Sequence, residues 1–457
     1  MMQTVLINNL WVLVAALLVF TMTISVGFLE VGELGHRMDR SLYKTLIITG
    51  FALFFMGLIG FNMAFAPTID GLIGNPFYSN IFLGLFSTTL SGSLTGVFWL
   101  TGTKFFDTGL SLGTYFLFET AFASVTLALV AVVVLRKIKL SAFMIFAVIY
   151  FAVIWTLPAA WIWNPTGWLY MLGVRDFAGG LVVHAAAGFT AIAIMVRIWQ
   201  EEKKRGLKQS LTEKINLNSG WLTLSILLLW VGWFGFNPGS ELAFTNETVI
   251  VVITTFLAAA SAMVSTMGTQ FLISKEDPGL LYGVNGVLMG LIVITPLAGY
   301  VSPGSAVVIG LVSGPIFVFA ERIFSKPKWY SDPVGVLPGH TVGGIFGLLM
   351  IAFFTQTAFA GASGATNLPN GLLFGGGFAA LYQLGLESFA VIVVGVFVFT
   401  ASYISIYIIS KALKGILQES VYNKSSISDF KEEMNQKHSI PQNSVIAESS
   451  ISDLIEK

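Results

Sequence analysis

Two stretches of the chain place an aspartate eight residues ahead of a histidine. They are RDFAGGLVVHAAAGF (175–189), with Asp176 and His184, and SDPVGVLPGHTVGG (331–344), with Asp332 and His340. Each histidine stands in an apolar run. Ionisable groups are costly inside a bilayer and mark pathways for polar solutes, and a desolvated imidazole is neutral, with one hydrogen-bond donor and one acceptor. A lone buried histidine is more often a structural hydrogen-bonding group; two at matched places favour a shared site. The remaining histidines, His36 in a basic loop and His438 in a polar tail, are explained by solvent. Two histidines without a cysteine or a nearby carboxylate do not complete a metal shell, so no metal is expected. No Ser or Cys nucleophile motif accompanies the pair. The chain is therefore not read as an enzyme, and neither a catalytic residue nor a cofactor is expected. Asp332 reads as structural, a helix N-cap. Asp176 reads as an N-cap that also favours an approaching cation.

The elements that must carry these residues are membrane helices. Of 457 residues, 55% are hydrophobic and only 11% charged, and the mean hydropathy is +0.81. That composition requires a bilayer. A net charge of zero without a basic patch gives no support to a nucleic-acid partner. The absence of cysteine removes disulfides and thiolate chemistry together. At roughly 20 residues per crossing, the apolar stretches give eleven spans, near 8–29, 43–66, 108–134, 140–161, 176–199, 219–237, 247–272, 279–297, 305–321, 340–360 and 382–412. With the N-terminus outside, the basic clusters at Arg37 to Lys44, Arg136 to Lys139, Arg197 to Lys214, Lys275 and Arg322 to Lys328 all fall inside, and only Lys104 and Arg175 remain outside. Counting residues 77–102 as a further crossing would invert most of that bias, so they read as an outward, partly packed segment. No Lys or Arg precedes the first span, which argues against a standard signal peptide.

Span five enters from outside and span ten from inside. Eight helical residues would carry each histidine about 12 Å inward from its aspartate, so the two rings could meet near mid-membrane. The expected fold is thus an all-α polytopic membrane protein, N-out and C-in, with a 5+5 inverted repeat plus one helix. The expected domains are a membrane domain over 1–412 (repeat one about 8–199, repeat two about 219–360, extra helix about 382–412) and a polar cytoplasmic tail over 413–457.

At these residues the chain resembles the ammonium transporter family, which includes the Rh proteins, over roughly 8–412. DFAGGLVVHAAAG (176–188) and GWFGFNPGS (232–240) carry the resemblance, supported by ITPLAGYV (294–301) and LES (386–388). The resemblance implies a homotrimer in the cell membrane, with one pore through each protomer. FETAFAS (118–124) would supply Phe118 to an outer vestibule and Phe122 as one plate of an aromatic gate, with Phe236 as the other plate. Trp163 and Ser240 would recruit ammonium, and His184 and His340 would form a twin-histidine pair. The implied function is ammonium transport: recruitment outside, deprotonation, and passage of ammonia through a hydrophobic pore, with the proton's route left open. The alternative is an ammonium sensor that signals through its tail. The chain departs from the family at LPGHT around His340, at Glu119 where glutamine is common, and at Glu30 and Glu33 near the end of the first span. Its tail lacks the family's Gly-Leu-Asp and His-Gly signature, which leaves a cytoplasmic regulatory protein as an open partner. For Glu119 the favoured reading is a buried, partnered or protonated side chain.

Overall fold

The computed structural model describes residues 2–35, 38–78, 109–207, 217–327, 332 and 334–418. Nearly all of the doubtful segment 77–102 lies outside them, as do His36, His438 and the tail past 418.

Among the described residues, ten helical segments are long and apolar enough to cross a membrane. They are α1 (Gln3–Leu34), α2 (Met38–Phe65), α3 (Leu112–Val134), α4 (Leu140–Ile162), α5 (Gly180–Lys204), α6 (Ser219–Gly239), α7 (Asn246–Ser274), α9 (Pro303–Phe324), α10 (Val336–Phe354) and α11 (Gly377–Ala412). The shorter apolar helix α8, Gly279–Ile294, lies between α7 and α9. One hairpin of two-residue strands, β1 (Thr68–Ile69) and β2 (Ile73–Gly74), interrupts the helical order.

Burial ranks these helices. The most apolar window of α3 is 94% buried, so α3 is enclosed on every side; that of α11 is 33% buried. On α11, Phe378, Ile392 and Val396 are 82%, 64% and 63% exposed. Such a surface needs lipid or another apolar partner, as a helix in a bilayer provides for its backbone and not its outer side chains. Small residues set the tightest contacts. A Cβ on Gly32 would overlap the Leu222 backbone, and one on Gly235 would overlap Ala15, so α1 and α6 touch at backbone distance.

Six helix starts lie four or five residues from the expected boundaries: α1, α2, α10 and α11 begin earlier and α3 and α5 later, and the two that carry the histidines matter most. α5 begins at Gly180, not at Asp176, because Gly179 has φ +111° and ends any helical path back to the aspartate. α10 begins at Val336, four residues earlier than expected. Pro338 does not block it, since the first amides of a helix have no acceptor within it to lose. Both helices open with a π-helical turn, Gly180–Ala185 and Val336–Thr341, before relaxing to α geometry. The eight-residue offset from Asp176 therefore spans four non-helical residues followed by a wide turn, so the 12 Å rise of a straight helix does not apply to it.

The described residues up to Leu417 form one compact unit. Its last described stretch is pinned below α5: Glu201 accepts the Ile416 amide at 3.1 Å, and Ile416 O accepts the Lys139 amide at 2.7 Å.

Candidate functional site

The site is built from the two helix starts. Asp176 Oδ1 accepts the amides of Gly179 and Gly180 at 3.0 and 2.7 Å, and Oδ2 accepts those of Leu181 and Val182 at 2.8 and 3.0 Å. Burial pushes this carboxyl up, against the pull of its four amide bonds. Asp332 serves α10 the same way, accepting from Val336 and Leu337 at 2.9 and 2.6 Å behind Gly335, whose φ is +67°. Burial raises its carboxyl to about 6, and the amides oppose the shift. The two starts share an aspartate, a left-handed glycine and a π-helical turn, and each π-helical turn holds the histidine as its fifth residue.

Four residues beyond each histidine lies a glycine. A Cβ at Gly188 would overlap the Thr341 side chain, and one at Gly344 would overlap the Gly180 carbonyl oxygen and sit 3.2 Å from His184 Cβ. The broken helices therefore cross at backbone contact, and the rings meet: His184 Nδ1 and His340 Nδ1 are 3.2 Å apart. One nitrogen must donate and the other accept, so the rings hold opposite tautomers. One ring then presents a free Nε2 lone pair and the other an Nε2–H. His184 Nε2 is buried and has no hydrogen-bond partner.

Aromatic rings continue the line away from the histidines. Phe236 is stacked on His184 at 5.6 Å and 13°, and Phe122 lies 4.3 Å from Phe236, centroid to centroid. Beyond Phe122 a cavity of about 540 Å³ opens, on the side expected from the sequence to be the outer one, lined in part by Phe118, Phe122, Trp163, Asp176 and Ser240. Trp163 donates its indole N–H to the Asp176 carbonyl at 2.8 Å and meets Phe122 edge-on at 88°. Ser240 Oγ donates to the Phe236 carbonyl at 2.9 Å, which uses its hydrogen and leaves its lone pairs to accept. On the other side of Phe236, His184 and His340 line a cavity of about 20 Å³ whose other walls are apolar side chains, among them Val26, Leu29 and Leu229.

Every residue expected at the site from sequence is brought to this line except Asp332, which stays at the start of α10. Asp176 borders the outer cavity, but both of its oxygens are committed to the start of α5. Trp233 was not foreseen. It stacks on His184 at 5.9 Å and 23° and donates to Thr295 Oγ1 at 3.2 Å; its signal was its place three residues before Phe236 in the same motif. Glu119 also borders the outer cavity, with its Oε2 lacking a partner. Among the described residues, no group of three or more His, Cys, Asp or Glu could hold a metal ion.

Residues 10–434 match the model of the Ammonium Transporter Family. The ammonium transporter Amt1 of Archaeoglobus fulgidus is 31% identical over 373 residues, which is 80% of this chain and 84% of that one. Among solved structures, one described as a sensor Amt protein superposes with a TM-score of 0.75 at 26% identity, covering 92% of this chain and 97% of its own. Candida albicans Mep2 superposes with a TM-score of 0.71 at 24% identity, covering 87% and 83%, and shares the fold.

Proposed function

This chain belongs to the ammonium transporter family and is a multi-pass membrane protein; on that premise we propose that it captures ammonium in the outer cavity and conducts ammonia past the histidine pair. The observation that carries the reading is the unbroken order of cavity, aromatic plates and paired imidazoles.

In the cavity the faces of Trp163 and Phe118 attract a cation, worth about 1–2 kcal/mol once water is partly displaced. Ser240 adds what potassium cannot use. With its own hydrogen committed to Phe236 O, it accepts an N–H, which only ammonium has. Beyond Phe122 and Phe236 the inner cavity of about 20 Å³ has room for about one water-sized molecule. An ion entering it would lose its hydration among apolar walls, at a cost of several kcal/mol, whereas neutral ammonia loses little. Ammonium therefore leaves a proton at the outer side, ammonia meets one accepting and one donating imidazole nitrogen, and protonation follows at the inner side.

The architecture belongs to the same proposal: eleven spans when α8 is counted, an inverted repeat of α1 to α5 and α6 to α10 with α11 added, N-terminus out, and three protomers in the cell membrane. The domain division at about residue 412 is part of it, with the polar stretch beyond as a cytoplasmic tail. The matched starts of α5 and α10 support the repeat, and the exposed apolar face of α11 suits lipid or a neighbouring protomer.

The test is methylammonium uptake into liposomes carrying the wild type or His184→Ala. Uptake should fall to background in the variant; normal, selective uptake would overturn the role of the pair. A second reading is favoured by the likeness to the sensor Amt structure: signalling of ammonium through residues 418–457 to a separate cytoplasmic protein. Deleting those residues leaves uptake intact if transport is the function, and removes only a partner's response if sensing is.

A further inference from the structure

Two carboxylates that the transport reading does not use border the same outer cavity. Glu119 follows Phe118 on α3, is 5% exposed, and holds Oε2 with no hydrogen-bond partner, while the Tyr115 hydroxyl bonds the carboxyl from the preceding turn. Glu241 follows Ser240 directly. The chain turns sharply there, since Leu242 takes φ +57°, a conformation that side chains with a Cβ adopt at a cost. Ser363 Oγ lies 2.5 Å from Glu241 Oε1 and 2.9 Å from Gly299 O. One hydroxyl hydrogen faces two acceptors. With a proton on Glu241, the acid donates to Ser363 and Ser363 donates to Gly299; with Glu241 ionised, Ser363 turns to the carboxylate.

The other charged groups of the cavity are already committed. Asp176 is bound to four amides. The Arg175 guanidinium donates to the Tyr170 and Val174 carbonyls and lies 4.1 Å above the Tyr170 ring. Glu119 keeps its Oε2 closed off from the space, which leaves Glu241, half-buried beside Ser240, as the carboxylate that faces it. Resting on the transport reading above, we infer that Glu241 forms a second, carboxylate holding site for ammonium beside the aromatic one, and that its ionisation makes capture stronger as the outer pH rises.

Burial raises the Glu241 carboxyl to about 7; Glu247 adds to the shift and the Ser363 hydroxyl opposes it. Tyr300, which also senses Arg175, Asp176 and Glu387, is pushed above its usual range by burial and stays neutral through this interval. The sign follows: below pH 7 Glu241 is neutral and attracts a cation weakly, and above pH 7 it is ionised and attracts it strongly. Outer pH then regulates how well ammonium is held without touching the passage behind the aromatic plates.

The experiment measures methylammonium KM and kcat in proteoliposomes at outer pH 6, 7 and 8. The wild-type KM should fall about fivefold from pH 6 to 8, the scale of one partly exposed charge pair. Glu241→Gln should hold the pH 6 value throughout, with kcat within twofold of wild type. Glu241→Asp should restore the slope. Ser363→Ala, which removes only the opposing hydroxyl, should move the inflection upward and covers the case of a Glu241→Gln protein that does not fold. A wild-type slope in Glu241→Gln, or a loss confined to kcat, would overturn the inference. Titration of ammonium chloride into the purified protein at pH 6 and 8 separates the two readings: a pH-dependent affinity that Glu241→Gln abolishes supports the site even if vesicles show no uptake, and that absence of uptake would count against transport alone.

Discussion

The crossing of α5 and α10 can be opened by one methyl group. In Gly344→Ala the new Cβ would overlap the Gly180 carbonyl oxygen and lie 3.1 Å from Ala185 N and 3.2 Å from His184 Cβ. The first obstacle is backbone in a turn already fixed by Asp176, so it cannot swing aside as a side chain would. The helices must part by several tenths of an ångström or more. The Nδ1 atoms start 3.2 Å apart, and a hydrogen bond is lost beyond roughly 3.5 Å, so the pair tolerates only about 0.3 Å. Overpacking of this kind costs about 1–3 kcal/mol, which an intact membrane protein can survive. The expected result is a folded protein, judged by size-exclusion profile and thermal unfolding, whose methylammonium uptake in liposomes falls at least tenfold. Gly268→Ala on α7, where nothing lies within 4 Å, is the control and should transport as wild type. Wild-type uptake by Gly344→Ala would refute the claim that backbone contact at this crossing sets the spacing of the rings.

Asp176→Ala removes the acceptor of four amides and should lower stability by about 1–3 kcal/mol, read by thermal unfolding in detergent, whereas Asp176→Asn, which keeps an acceptor, should recover part of the loss. Ser240→Ala removes the lone pairs that distinguish ammonium from potassium; a net hydrogen bond of about 0.5–1.5 kcal/mol predicts a two- to tenfold rise in methylammonium KM and stronger competition by potassium in the same uptake assay.

The pairing of His184 with His340 was readable because spacing repeats and ionisable groups in apolar runs are rare. Their closeness was not, since it depends on Gly188 and Gly344, whose value lies in what crosses them and not in what flanks them. The start of α5 was misplaced by four residues because an aspartate two turns ahead of a buried ring resembles a first helical residue; only the left-handed turn at Gly179 reveals it as an anchor. α10 starts four residues earlier than the expected boundary, because Pro338 stands in the first turn, where a proline breaks nothing. Trp233 hid among the chain's 11 tryptophans until its stacking on His184 separated it from the rest. Glu119 was expected to be partnered or protonated: Tyr115 supplies one partner, and the second oxygen is buried without one, which no local pattern reports.

The most direct test of the account is the hydrogen bond between the two rings. The chain has four histidines, so protein labelled with ¹⁵N at histidine and reconstituted in lipid gives a spectrum that can be assigned. The expected result is a ¹⁵N–¹⁵N coupling between the Nδ1 nuclei of His184 and His340, chemical shifts showing one ring protonated at Nδ1 and the other at Nε2, and loss of the coupling in His340→Ala. Two rings in the same tautomer with no coupling between them would contradict it.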